Sequence, residues 1–248
     1  MNQIIEHLVA IVPAAGIGSR IGAEIPKQYL MLNEQPIIAH TLDVLLKHPK
    51  IAQVIVAVSP NDSYFAKLPQ ANDRKLKVVE GGQERADSVL AGLSCAPQSA
   101  WALVHDAARP CLHPSDIDLL IQAAEQQSQH DKQPQGAILA MPVRDTMKRS
   151  NHQGNIEQTV CRDNLWHALT PQLFPVVTLR DNLTQALVKG ISVTDEASAM
   201  EWAGFRPKLV RGRADNIKVT HPDDLRLAAL FLNDNLTNNV NNKLNHND

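Results

Sequence analysis

Apolar runs of strand length alternate along this chain with segments of helical period. The runs Leu8–Val12, Val54–Val58, Lys77–Val79, Ala102–Val104, Gly136–Ala140 and Lys208–Val210 predict strands. Several are nearly continuous in Val, Ile, Leu and Ala, the pattern of strands buried on both faces of a sheet. Between and after them, Pro36–Lys47, Ala86–Ser94, Ser115–Gln127, Thr178–Val188, Glu196–Ala203 and Pro222–Leu232 predict helices. Pro36, Pro114 and Pro222 stand near helix starts, where a missing N–H costs nothing. Thr194-Asp195-Glu196 reads as a capped, acid-rich first turn. Strands alternating with helices predict an α/β fold with a mainly parallel, twisted sheet flanked by helices, in a Rossmann-like arrangement.

One region breaks the alternation. From Val143 to Thr170 the chain is polar, charged and short of helical period, and Asn151-His152-Gln153-Gly154-Asn155 is a turn signal. It predicts a projecting β-arm at about 143–165, suited to dimerisation. Residues 1–232 are expected to form a single domain. The Asn-rich stretch 233–248 is expected to be a disordered tail.

Composition narrows the reading further. The chain has 248 residues, 44% of them hydrophobic and 20% charged, which excludes wholesale disorder. Lys and Arg number 24 against 26 Asp and Glu, a net charge of −2. That balance argues against a long nucleic acid as partner. Cys95, Cys111 and Cys161 are too few and too scattered for a disulfide framework or a zinc site. The N-terminus has no basic start, and Leu8–Pro13 is too short for a signal peptide or a membrane span. The expectation is a cytoplasmic protein with no membrane partner.

The first strand runs into Ala14-Ala15-Gly16-Ile17-Gly18-Ser19-Arg20-Ile21-Gly22. A strand followed by a loop of small residues lets backbone N–H groups approach a phosphate closely. The glycines give GxGxxxG, one residue too long for the dinucleotide fingerprint, and no GK[ST] follows to make a P-loop. Arg20 and Lys27 add fixed positive charge, which suits a triphosphate better than a dinucleotide. A second strand-to-helix junction carries Gly81-Gly82, Arg85 and Ser88, where a glycine pair permits close approach to a flat base. Cytosine and uracil are not distinguished by these residues. A third strand ends in His105-Asp106, at the carboxyl end where α/β sheets bind ligands. By residue type Asp106 is as good a turn cap as a metal ligand.

These segments resemble the sugar-nucleotidyltransferase-like enzymes, and within them the 2-C-methyl-D-erythritol 4-phosphate cytidylyltransferase family of the non-mevalonate isoprenoid pathway. The resemblance rests on Ala14–Arg20 with Pro26-Lys27-Gln28-Tyr29, on Gly81–Val89 and on Val104–Pro110. It continues through Pro142–Thr146, Leu169–Gln172, Thr194–Glu196 and Asp215–Thr220, so it covers all but the tail. It implies a Mg²⁺-dependent homodimer that joins CTP to 2-C-methyl-D-erythritol 4-phosphate and releases pyrophosphate. Arg20 and Lys27 would stabilise the transition state, and Arg162 and Lys218 would hold the attacking phosphate. CTP would rest on Ala14, Ala15, Gly16, Gly18, Gly82, Arg85, Ser88 and Asp106. The polyol phosphate would meet Arg109, Thr146, Arg162, Thr170, Lys218 and Thr220, with Thr146 and Arg162 reaching in from the neighbouring subunit. Asp106 would hold Mg²⁺, with Asp215 as a second ligand.

A phosphomonoester has its second pKa at about 6 and is a dianionic nucleophile at neutral pH, so the chemistry does not call for His105 as a base. Two other readings stand beside this one. A ribitol 5-phosphate cytidylyltransferase would share the Pro26-Lys27-Gln28 loop and much of the His105–Pro110 segment. An NAD-dependent reductase would need an acidic residue at a strand end some 20 residues after the loop, and neither Glu34 nor Asp43 sits at one.

Overall fold

The computed structural model describes residues 5, 7–16, 25–128 and 134–244, with 235–244 as backbone alone. In chain order the elements are β1 (Leu8–Pro13), β2 (Met31–Leu32), β3 (Gln35–Pro36), α1 (Ile37–Lys47), β4 (Ile51–Val58), β5 (Leu76–Glu80) and α2 (Arg85–Ser94). They continue with β6 (Trp101–Val104), α3 (Pro114–Ser128), β7 (Ala137–Pro142), β8 (Met147–Ser150), β9 (Ile156–Val160) and β10 (Trp166–Pro175). The last are α4 (Val176–Val188), α5 (Glu196–Trp202), β11 (Lys208–Arg211) and α6 (Pro222–Leu244).

The main sheet has seven strands in the order β11-β7-β10-β6-β1-β4-β5. All its pairings are parallel except those of β10, which runs antiparallel between β6 and β7. The period-two alternation of side chains sorts the strands into two cores. From β1, Leu8, Ala10 and Val12 join α1 and α3 on one face, while Val9 and Ile11 join α2, α4 and α5 on the other. Both sets are apolar because helices cover both faces. A smaller cluster of Leu32, Ile37, Ala108, Cys111, Val219 and Ala228 seats α6 against the loops at one end.

Three departures from the sequence reading have physical causes. The pattern gave no strand at Trp166–Pro175, because Pro171 interrupts it and proline donates no ladder hydrogen bond. The strand absorbs this with a register shift between Ala168 and Gln172. The small β2–β3 hairpin was too short to register as a pattern. The segment read as a disordered tail is helical through Leu244, as a continuation of α6. No Pro or Gly follows Pro222, and Leu232, Leu236, Val240 and Leu244 recur at four-residue spacing, which favours an unbroken helix. The arm is seen as expected: β8 and β9 form their own two-stranded sheet, almost wholly exposed.

Candidate active site

Strand order reverses about β1: the chain goes first to β4 on one side and later to β6 on the other. The crevice beyond the carboxyl ends at such a switch point is where open α/β sheets bind ligands. A cavity of 380 Å³ lies there, lined by Pro13–Gly16, Lys27, Gln28, Gln83–Arg85, Ser88, Asp106–Ala108, Lys218 and Thr220. Of the residues singled out from sequence, Ala14, Ala15, Gly16, Lys27, Arg85, Ser88, Asp106, Lys218 and Thr220 are thus brought together. Gly18 and Arg20 lie outside the described residues. Gly82 stands next to the wall, its N–H bonded to the Ser88 hydroxyl at 3.2 Å. Arg109, Thr170 and Asp215 stand behind the wall, and Thr146 and Arg162 lie exposed at the base of the arm.

The first wall is the loop after β1. Buried Gln28 donates from Nε2 to the carbonyls of Ala14 at 2.7 Å and Gly16 at 3.1 Å, turning the intervening backbone outward. The motif reading quoted Gln28 without giving it this task. Lys27 Nζ donates to the Val219 carbonyl at 3.2 Å, which brings the 3-10 turn at Lys27–Tyr29 to the segment holding Lys218 and Thr220. Gly81 is required by crowding. A Cβ there would sit 2.6 Å from the Ala15 Cβ and 2.8 Å from the Ser88 Oγ, so any side chain would force the two loops apart.

The floor is a network of buried charge. Arg85 donates from Nε to Asp106 Oδ1 at 2.9 Å, and from Nη1 and Nη2 to Glu196 at 2.6 and 3.1 Å. Asp106 Oδ2 also meets Lys218 Nζ at 2.9 Å and Arg109 Nε at 3.4 Å. Burial alone would raise the Asp106 carboxyl. The Arg85, Lys218 and Arg109 charges together outweigh it and hold the group well below the usual carboxylate range. Burial would likewise lower Arg85, but Glu196 and Asp106 outweigh it and raise its pKa. Arg109, more poorly compensated, is lowered by burial.

Glu196 is a residue that sequence reasoning did not place. It was read as part of a helix cap, and α5 does begin with an Asp195 capping box. At 1% exposure, however, its carboxylate is used wholly inside the protein. A signal was present: a charged residue in a segment carrying the family resemblance, directly after the capping position.

The network also corrects the electrostatic picture. Residue types alone count Arg85, Arg109 and Lys218 as positive charge for the phosphates, yet these cations already share the carboxylates of Asp106 and Glu196. The carboxylates named as Mg²⁺ ligands are engaged in ion pairs as well. Both oxygens of Asp106 are taken by cations, and Asp215 is paired with Arg213 outside the cavity wall. Among the described residues no group of three or more His, Cys, Asp or Glu is placed to hold a metal. Asp106 and Asp215 are therefore not a preformed pair; Mg²⁺, which takes one or two carboxylates together with substrate phosphates, would meet Asp106 only along with the triphosphate.

A cavity at the switch point, rimmed by lysines and a small-residue loop in place of a dinucleotide fingerprint, defines the class as a nucleotidyltransferase. Comparison makes this specific. The pattern of the family described as 2-C-methyl-D-erythritol 4-phosphate cytidylyltransferase (IspD) matches residues 8–234, and the chain belongs to that family. The Shewanella loihica protein of that name is 70% identical over 232 residues, spanning 94% of this chain and 95% of that protein. A crystal structure of 4-diphosphocytidyl-2C-methyl-D-erythritol synthase superposes with a TM-score of 0.77 at 35% identity, over 92% of this chain and 99% of that one. The Francisella tularensis enzyme of the family gives 0.73 at 35% identity, over 91% and 99%.

Proposed function

We propose that this chain transfers the cytidylyl group of CTP to 2-C-methyl-D-erythritol 4-phosphate, giving 4-diphosphocytidyl-2-C-methyl-D-erythritol and pyrophosphate. The observation that carries the reading at the level of the site is the Lys27–Val219 hydrogen bond. It joins segments 192 residues apart and sets two amines, Lys27 and Lys218, on one rim of the cavity. A rim of that kind neutralises two phosphate chains at once, as condensation of a triphosphate with a phosphomonoester requires.

In this reading the polyol phosphate oxygen forms a bond to the α-phosphorus as the bond to pyrophosphate breaks. Lys27 and Arg20 offset the charge building on the leaving pyrophosphate. Lys218 and Thr220, beside Lys27 on the same rim, meet the attacking phosphate. The Ala14–Gly16 loop meets the triphosphate, and Gly82 and Ser88 receive the cytidine. Asp106 keeps Lys218, Arg85 and Arg109 aligned. Asp106 would be the carboxylate to hold Mg²⁺ against the triphosphate, where the ion would neutralise phosphate charge.

The arm is assigned to a neighbouring subunit of a homodimer. Thr146 and Arg162 are exposed, and neither lines the cavity of its own chain. Arg162 instead donates to the Arg144 carbonyl across the base of the arm. A cytoplasmic location is supported by the free thiols, two of which, Cys95 and Cys161, are exposed.

The test is pyrophosphate release with CTP and a panel of polyol phosphates. Turnover with 2-C-methyl-D-erythritol 4-phosphate and little with ribitol 5-phosphate is expected. The opposite preference would replace this substrate with the other. Binding of NAD without turnover of CTP would discard the class.

A further inference from the structure

We propose that His105 is a positioning residue: a neutral imidazole, protonated on Nε2, that braces the Asp106–Arg109 turn and commits the Thr170 hydroxyl to that turn. The proposal concerns how the catalytic face is held, and it rests on the cytidylyl-transfer reading only for its kinetic consequence.

The hydrogen-bond directions follow from what each partner is able to do. His105 is fully buried at the end of β6. Its Nε2 lies 3.2 Å from the Arg109 carbonyl, which only accepts, so Nε2 carries the proton. Its Nδ1 lies 3.0 Å from Thr170 Oγ1. In a neutral ring with hydrogen on Nε2, Nδ1 presents a lone pair, and the Thr170 hydroxyl must donate to it. Thr170 Oγ1 in turn accepts the Asp106 N–H at 3.1 Å. The result is one directed chain: Asp106 N–H to Thr170 Oγ1, Thr170 O–H to His105 Nδ1, and His105 Nε2–H to the Arg109 carbonyl.

The chain grips both ends of the turn. Arg109 N–H closes it onto the Asp106 carbonyl at 3.1 Å, and Val219 N–H holds the Ala108 carbonyl from outside at 2.8 Å. The imidazole fills the turn from within, and Thr170 fastens its first N–H. Asp106, which aligns three cations, and Arg109, which also donates to the Asn216 carbonyl at 2.7 Å, are aimed by this frame. An apolar side chain of equal size would fill the space, but it would orphan the Thr170 hydroxyl and the Arg109 carbonyl, a costly loss in a buried site. A general-base role is excluded by the same geometry, since neither nitrogen has a lone pair free for substrate.

Charges around the ring agree with this assignment. Burial lowers the imidazole to a pKa of about 4. Asp106 and the hydrogen bond to the Arg109 carbonyl oppose that shift, while the charges of Arg109 and Arg85 add to it. The Thr170 hydroxyl, expected from sequence to touch the polyol phosphate, is used up inside the protein.

The test joins spectroscopy to a double-mutant cycle. Long-range ¹H–¹⁵N correlation on histidine-labelled protein should show His105 with hydrogen on Nε2, bare at Nδ1 and unchanged between pH 5 and 8. A ring protonated at Nδ1 at neutral pH overturns the proposal. His105→Gln keeps a donor toward Arg109 but loses the acceptor for Thr170, and Thr170→Val loses the hydroxyl. Each should lower kcat about tenfold or more. The double variant should be no worse than the poorer single one, and Thr170→Ser should restore most of the Thr170→Val loss. Losses that multiply in the double variant mean the residues act independently and overturn the proposal. Should His105→Gln fail to fold, the labelled wild type and Thr170→Val decide it. A wild type that does not turn over CTP defeats the functional reading alone, because the tautomer is read without substrate.

Discussion

The turn after β6 and the β8–β9 arm were both expected to supply groups to the same substrate phosphate, yet they are built in opposite ways. Every residue from His105 to Arg109 is buried, and its polar groups are satisfied within the chain. The arm is exposed along both strands, and Ile156 leaves 67% of its surface in solvent. A buried charge must be paired before any ligand arrives, or the fold carries the cost of its desolvation. An exposed charge on a thin hairpin is left free, but it has no fixed direction until another surface gives it one. The turn therefore acts as a frame for the site, whereas the arm, in the proposed dimer, would supply reach.

The largest effect should come from Lys27 and Arg20, the cations proposed to offset charge on the leaving pyrophosphate, which belong to neither region. Lys27→Ala is expected to lower kcat by ~100-fold or more, the size typical of losing a preorganised charge donor, and Arg20→Ala to do the same. Steady-state kinetics with CTP and the polyol phosphate checks this. Near-normal kcat in both variants would sink that assignment.

The arm is tested next. Arg162→Ala should raise KM for the polyol phosphate and lower kcat/KM by about 10- to 100-fold, the worth of one hydrogen bond to a charged group. The subunit origin is read by mixing it with Lys218→Ala. If the arm crosses to the partner, a heterodimer keeps one intact site, and an equal mixture regains about a quarter of wild-type activity. No regain would place the arm over its own cavity and erase the contrast with the turn.

How far the sequence carried the picture follows the same division. The β1 strand and its loop were legible because a continuous apolar run and a small-residue turn are local patterns. The arm was legible as an interruption of the alternation. Arg85 with Glu196 was not legible, because the pair joins residues 111 apart and each has an ordinary reading at a helix start. Strand β10 was hidden by Pro171, and with it the fact that Thr170 lies beside His105. Gly18 and Arg20 remain sequence expectations, standing on the motif. Ala14–Gly16, Lys27, Arg85, Ser88, Asp106, Lys218 and Thr220 gather at one cavity from motifs far apart in the chain, while the partners that neutralise the charged ones had to be seen in three dimensions.

A pH series sharpens the view of the frame. The folded pKa of His105 is about 4, below the usual value of 6.5 for a free imidazole, so the unfolded chain takes up the proton first. The sign follows: stability is present above about pH 6.5 and is lost as pH falls toward 4, by roughly 1–3 kcal/mol. Asp106 adds nothing in this window, because its carboxyl stays ionised in both states until the pH nears its unfolded value. His48 is also lowered by burial and adds a slope of the same sign. The difference between wild type and His105→Gln, by denaturant unfolding at each pH, isolates the His105 share. Equal slopes in the two proteins would mean that the imidazole is not buried neutral in solution.

The smallest change in folding free energy should come from Ile156→Lys at the arm. The side chain has little packing to lose, so unfolding of the chain should shift by no more than about 0.5 kcal/mol. Its effect should appear in association. In the proposed homodimer, an isoleucine buried between subunits would contribute about 1.5–3 kcal/mol, so that dimer should dissociate at protein concentrations ten- to a hundredfold higher. Light scattering across a dilution series measures one quantity and thermal unfolding the other. A variant that stays dimeric while its Tm falls by many degrees would show the arm packed on its own body, making it a second part of the frame. A variant that becomes monomeric at unchanged fold stability, and loses turnover on dilution in parallel, ties exposure of the arm to completion of the site.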